Sequence, residues 1–245
     1  MEPSPATRRV RRVRHELRRR DLAVLRVEPL GPGYLSVTFG GEALADFVSD
    51  SFDDHVKFML EDEGSEPVRR DYTPRRFDRE RRELTIEFAL HGHGRASEWV
   101  RQAQVGQRVT IGGPRGSMII PLDYDWHLLA GDATALPAIR RRLEELPGDA
   151  RVIVVAQVDM ADRPSLKFPD HARVQWADNA EQLIAAVRAL PLPDGEGFAW
   201  AAGEASVMAQ LRQVLLAEQG HPREAARVAA YWKRGASAHH ENLEG

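Results

Sequence analysis

The chain has 245 residues, enough for one large domain or two small ones that each bury a core, and its 42% hydrophobic and 29% charged content is that of an ordinary water-soluble protein. It contains no cysteine, which excludes disulfides, thiolate catalysis and cysteine-ligated iron–sulfur clusters, so redox chemistry here must use a borrowed cofactor. The formal net charge of -3 is uneven: residues 1–20 carry eight arginines against Glu2 and Glu16, a segment of +6 on a body of -9.

That basic extension, residues 1–20, reads either as a solvated or partly helical arm or as a contact for nucleic acid, anionic lipid or an acidic partner. The acidic body argues against a nucleic-acid-binding core. The N-terminus has no apolar segment of the secretory kind, and no apolar run approaches the roughly 20 residues that span a bilayer. A cytoplasmic location without membrane insertion is therefore expected.

From Leu22 onward the first half reads as short strands broken by turn residues: Leu22–Val27, Tyr34–Phe39 after Gly31-Pro32-Gly33, His55–Leu60, the alternating Glu83–Leu90, and Arg108–Ile111 ending at Gly112-Gly113-Pro114. With one helix-like stretch, Ala96–Ala103, this predicts a small antiparallel barrel over 21–121. The second half, 122–245, alternates strand and helix. The run His127–Ala130 precedes a helix over Ala135–Leu146. An apolar strand, Arg151–Val158, and another at Arg173–Trp176 precede a helix over Glu181–Leu190. Phe198–Ala202 then leads through Gly203 to a helix reaching Leu216. That order predicts a doubly wound parallel sheet, with the boundary near Pro121–Tyr124.

Several segments carry groups suited to a nucleotide. Arg70-Asp71-Tyr72-Thr73-Pro74-Arg75, placed between two strands, offers a guanidinium for phosphate, a ring to lie against an aromatic system and a hydroxyl for a ring nitrogen; it reads equally as an ordinary turn. His91-Gly92-His93-Gly94-Arg95-Ala96-Ser97 places glycines and a serine ahead of a short helix, where backbone N–H groups meet anions, or is simply a strand-to-helix loop. Its two histidines lack further ligands at metal-binding spacing, so no metal site is expected. Gly131-Asp132-Ala133-Thr134-Ala135 and Gly203-Glu204 each follow a parallel strand, where open α/β sheets bind ligands. Tyr231-Trp232-Lys233-Arg234-Gly235 is an aromatic–basic cluster or a last strand docking on the sheet.

Taken in order, these segments resemble the siderophore-interacting protein family of NAD(P)H-dependent ferric-siderophore reductases, within the ferredoxin-reductase-like fold, from about Leu22 to Gly235. Arg70-Asp71-Tyr72-Thr73 is similar to the family's Arg-x-Tyr-Thr flavin motif. His91 to Trp99 is similar to its His-x-x-Gly-Pro-Ala-Ser-x-Trp segment, with Arg95 in place of proline. The resemblance implies a Greek-key barrel holding FAD through Arg70, Tyr72, Thr73, His91, Gly94, Ala96 and Ser97, with Thr73 at the reacting ring. It implies an α/β domain docking NADPH or NADH through Asp132, Thr134, Ala135, Gly203 and Glu204. A ferric siderophore is the implied substrate, and Lys57, Lys233 and Arg234 are expected to line its cleft. The enzyme is expected to be monomeric, to bind neither nucleic acid nor a metal of its own, and to release iron as Fe(II). Arg163 is a candidate for a 2′-phosphate or an ordinary loop residue. The alternatives are a flavin reductase with another acceptor and a non-catalytic flavin- or nucleic-acid-binding module.

Overall fold

Strands in which polar and apolar residues alternate build a curled antiparallel sheet from the first half of the chain. The computed structural model describes residues 9–60, 68–90, 94–235 and 241–242. A short strand β1 (Arg11–Arg14) is followed by β2 (Arg19–Gly31), β3 (Tyr34–Gly40), β4 (Val56–Leu60), β5 (Val68–Tyr72), β6 (Arg76–Asp78) and β7 (Glu83–Ala89). After helix α1 (Arg95–Arg101) come β8 (Arg108–Gly112) and β9 (Gly116–Ile119). Seven of these strands form one sheet in the order β5-β4-β8-β2-β3-β7-β6. Its inward residues, among them Leu22, Val24, Phe39, Phe58, Ile86 and Ile111, share one core with Ala96 and Val100 of α1.

The second half is a parallel sheet whose central strands are near-continuous apolar runs, as burial on both faces requires. β10 (Trp126–Asp132), β11 (Val152–Gln157), β12 (Ala172–Ala177), β13 (Gly197–Glu204) and β14 (Ala226–Trp232) lie in the order β12-β11-β10-β13-β14, with β15 (Glu241–Asn242) antiparallel at the edge. Three helices cross between strands: α2 (Leu136–Glu145), α3 (Ala180–Ala189) and α4 (Ala205–Gln213), the last continued by a π-helical turn over Val214–Glu218. Along β10, Leu128 and Ala130 face α3 and α4, whereas Leu129 faces α2. The expected two-part β and α/β architecture is therefore present.

The two halves pack on each other through the α2 face, whose core takes in Tyr34, Phe52 and Ile120 from the first half. Three consecutive arginines of α2 fasten the contact. Arg140 donates from one guanidinium nitrogen to both carboxylate oxygens of Glu87 of β7 at 2.8–2.9 Å, Arg141 donates to the carbonyls of Ser49 and Pro74, and Arg142 donates to the Pro121 carbonyl at 2.6 Å. Arg75, buried, pairs with both Glu87 and Glu144. Asp162, beyond β11, accepts the Gly33 N–H at 2.7 Å, and the Tyr34 hydroxyl donates to the Ala133 carbonyl.

Two local readings differ from the structure. Arg70–Tyr72 is strand rather than loop: it ends β5, an edge strand whose charged run, Arg69-Arg70-Asp71, hides the period-two pattern and is tolerated because one side of the strand is unpaired. The last strand runs over Ala226–Trp232, so Lys233 to Gly235 lie beyond it. Within the basic segment, β1 pairs with β9, Arg9 bonds Asp123 and Glu196 and lies over the Tyr124 ring, and Arg18 and Arg20 both meet Asp46.

The arm's docking site contains a buried carboxylate. Asp54 Oδ2 accepts bonds from Ser49, the Ser51 N–H and Ser117 of β9, and Ser117 in turn bonds His15 at 2.8 Å. Its other oxygen is buried without a partner among the described residues. Burial pushes the Asp54 carboxyl up to about 6, against the pull of those three bonds and of Arg141. A raised folded pKa means that this group favours the folded state below its unfolded value of about 3.9, and that this contribution is lost as pH rises through about 6. Asp54→Asn should therefore gain stability relative to the wild type as pH rises from about 4 to 7. Thermal melts of both proteins across that window check this; a gap independent of pH would contradict it.

Candidate functional site

The end of β5 and the residues after it bring the first group of expected site residues together. Strand pairing sets Lys57 of β4 directly opposite Asp71, and Phe58 opposite Arg70. Arg70 donates to the Arg69 carbonyl at 2.8 Å, and among the described residues the rest of its fork has no partner. The Tyr72 ring packs edge-on to Phe58 at 5.7 Å and tilted on Phe88 at 4.5 Å, yet stays partly exposed; burial pushes its hydroxyl up to about 12. Thr73 follows, buried, with its hydroxyl bonded to Tyr231 of β14.

That bond leads into a polar junction between the halves. Asp53, in the loop before β4, is 6% exposed. Its Oδ1 accepts the Trp200 Nε1–H at 2.9 Å and its Oδ2 the Arg227 Nε–H at 2.9 Å, and the Tyr231 hydroxyl donates to Oδ1 at 3.5 Å. One carboxylate from the first half thus gathers donors from β13 and β14. His55 lies near both Asp53 and Asp71. Burial lowers its imidazole below the ordinary range, which those two carboxylates oppose.

A second convergence lies at the C-terminal ends of the parallel strands. Asp132 Oδ1 accepts the Thr134 N–H and hydroxyl at 2.9 and 2.6 Å, while Oδ2 accepts the Glu204 N–H and the Trp232 Nε1–H, each at 2.9 Å. This approach requires glycine at 203, where a Cβ would lie 2.6 Å from the Asp132 carboxylate on a backbone of positive φ. Glu204 caps α4, accepting from the Ser206 and Val207 N–H groups, and takes the Arg234 N–H as well. Burial works to raise its carboxyl, but the bonds from Ser206, Arg234 and Val207 outweigh it and hold it below the usual range.

The remaining expected residues divide. Lys233 and Arg234 are exposed just beyond Tyr231, on the chain segment that meets Thr73. Lys57 is half exposed but ion-paired to Asp71, with its ammonium 2.7–2.8 Å from both carboxylate oxygens. Gly94 precedes α1 with open space where a Cβ would stand, and Ser97 is buried in its first turn. The methyl of Ala96 belongs to the barrel core and Ala135 is fully buried, so each can meet a ligand through backbone alone. His91 lies outside the described residues. Arg163 is a loop clamp, donating to the Val158 and Ala177 carbonyls and pairing with Asp178.

Sequence reasoning missed Asp53, Trp200 as its partner, Arg227 and Asp162. A lone loop aspartate carries no periodic signal, and its partners lie 147 and 174 positions away. Among the described residues no three His, Asp or Glu side chains group to hold a metal. The donor set does fit a flavin dinucleotide: a guanidinium fork bonded at one nitrogen only among the described residues, a partly exposed tyrosine ring, a positioned hydroxyl and an open glycine ahead of α1.

Comparison with known proteins matches two family models in succession. The siderophore-interacting FAD-binding domain matches residues 23–67 and 61–118, and the siderophore-interacting protein model matches residues 124–235. The NADPH-dependent ferric-chelate reductase of Escherichia coli is 38% identical over 90% of this chain and 95% of that protein. The ferric vibriobactin reductase ViuB of Vibrio cholerae is 31% identical over 90% of this chain and 92% of that protein. Among solved structures, a siderophore utilization protein from T. fusca superposes with a TM-score of 0.86 at 34% identity, covering 96% of this chain and 98% of that one.

Asp132 joins the ends of three strands, so Asp132→Ala should remove the acceptor that the Glu204 amide and the Trp232 indole share. The loss should be on the order of 2–4 kcal/mol, a fall in Tm of roughly 5–10 °C. Calorimetry measures it, and an unchanged Tm would show that these donors find other acceptors.

Proposed function

This chain belongs to the siderophore-interacting protein family, and from that premise we propose that it is an FAD-dependent NAD(P)H oxidoreductase that reduces ferric siderophores and releases the iron as Fe(II). The observation that carries the reading is the meeting of Thr73, at the end of the flavin motif, with Tyr231, two residues before the exposed pair Lys233 and Arg234. Flavin-side groups and chelate-side cations then stand on touching segments. When bound, FAD accepts two electrons from a nicotinamide and passes them one at a time to ferric iron.

In this reading residues 21–121 hold the flavin and residues 122–245 the nicotinamide. Arg70 grips the diphosphate, Tyr72 lies against the ring system, and the Thr73 hydroxyl faces the redox-active ring nitrogen. Gly94, Ala96 and Ser97 offer backbone and hydroxyl donors to phosphate, joined by His91. The nicotinamide dinucleotide lies along the edge set by Asp132, Thr134, Ala135, Gly203 and Glu204, where parallel sheets receive ligands. NADPH is the donor that the name of the Escherichia coli relative supports. Siderophores hold iron through hard oxygen donors that favour the ferric ion, so reduction loosens the complex without any metal ligand from the protein. Lys57, Lys233 and Arg234 attract the anionic chelate. A cytoplasmic location and a monomeric state belong to the same proposal; among the described residues no helix is long and apolar enough to cross a membrane.

Two substitutions test the assignment. Arg70→Ala should weaken FAD binding roughly 10- to 100-fold, the value of a charge-assisted phosphate contact; titration of FAD into apoprotein reads it, and wild-type affinity would remove Arg70 from the flavin site. Asp71→Asn should free the Lys57 ammonium and lower the apparent KM for an anionic ferric siderophore by about two- to fivefold, with Lys57→Ala moving it the opposite way. Steady-state kinetics at low ionic strength decide this. Equal KM values in all three proteins would place the chelate elsewhere.

A further inference from the structure

The junction around Asp53 determines which way its hydrogen bonds run. Asp53 is buried and paired with Arg227, and a carboxylate so paired only accepts hydrogen bonds. Trp200 and Arg227 fix its orientation from two sides. The Tyr231 hydroxyl has one proton, and it points to Asp53 Oδ1. That bond is long at 3.5 Å, and its weight lies in direction more than in strength. With its proton so directed, the Tyr231 oxygen is left as an acceptor. The Thr73 hydroxyl, bonded to that oxygen, can then supply the proton for their shared bond. Thr73 then has only lone pairs left for any other partner.

We propose that Asp53 and Tyr231 are positioning residues that turn the Thr73 hydroxyl into a hydrogen-bond acceptor toward bound flavin, and so favour the flavin's reduced form. The inference rests on the assignment of Thr73 to the flavin made above. Its chemical basis is a difference between the two redox forms. The reactive ring nitrogen of an oxidised flavin has a lone pair and prefers a donor. Once reduced, the same nitrogen carries a proton and prefers an acceptor. A hydroxyl free to rotate can serve both forms, whereas one whose proton is committed to Tyr231 serves the reduced form better. The device draws residues from both halves of the chain, because Asp53 and Thr73 come from the first and Tyr231 from the second. Docking of the halves thereby becomes part of how the cofactor is tuned.

The test is the midpoint potential of bound FAD, measured by anaerobic dye-coupled reduction of the full-length holoprotein. Tyr231→Phe keeps the ring and removes the acceptor for Thr73, so its potential should shift negative of the wild type. Thr73→Val should shift it negative as well, and Thr73→Ser should leave it near the wild-type value. In the Thr73→Val background, Tyr231→Phe should add no further shift, because Tyr231 acts through Thr73. Should Tyr231→Phe fail to hold FAD, Asp53→Asn gives the same reading: its amide can donate to Tyr231 and reverse the chain, again moving the potential negative. A wild-type potential in Tyr231→Phe overturns the proposal. So does an equal shift in the Thr73→Val background, which would mark Tyr231 as a packing residue. A wild-type potential in Thr73→Val is a different failure, because it removes Thr73 from the flavin and with it the underlying site assignment.

Discussion

The bonds from Trp200, Arg227 and Tyr231 to Asp53 fix how the two halves of this protein meet. Asp53 lies in a loop of the antiparallel half, and its partners lie on adjacent strands of the parallel half. A buried carboxylate left alone would be costly, so the loop is stable only where all these donors converge. That requirement fixes where β4 and β5 stand relative to β13 and β14. It also sets Thr73 against Tyr231, and hence the end of β5 near the exposed lysine and arginine that follow β14.

The rest of the interface works in the same direction by different means. Apolar burial of Tyr34, Phe52 and Ile120 against α2 supplies contact without direction. The arginines of α2 supply direction, because a planar guanidinium fork accepts few geometries. Glu87, reached by both Arg75 and Arg140, and the carbonyls of Ser49, Pro74 and Pro121 are acceptors at fixed points of the first half. Together these contacts hold the two halves in one arrangement.

What the sequence revealed, and what it hid, follows from the range of each interaction. The central parallel strands β10, β11 and β13 were legible because burial on both faces makes them apolar, as in Val152-Ile153-Val154-Val155-Ala156, whereas β14, which begins at Ala226 and contains Arg227, was not read as a strand before Tyr231. The helices between them carried the expected period. β5 was hidden because three charged residues stand in a row on an edge strand. The C-terminal edge was legible as two strand ends, Asp132 and Gly203-Glu204, but not as one knot: that Trp232 closes it depends on a contact across 100 positions. Lys57 was legible as a cation near Arg70–Thr73. Its neutralisation by Asp71 was not, because register places them opposite each other and no local pattern records register.

The central claim is that electrons pass from a nicotinamide through protein-bound FAD to a ferric siderophore. The most direct measurement is one anaerobic cycle on the purified holoprotein, followed by its visible flavin absorbance with an Fe(II)-specific chelator present. NADPH should bleach the flavin band, and a ferric siderophore added next should restore it while Fe(II) complex accumulates at two per flavin reoxidised. A flavin that bleaches with NADPH but stays bleached in the presence of ferric siderophore, with no Fe(II) formed, would contradict the account.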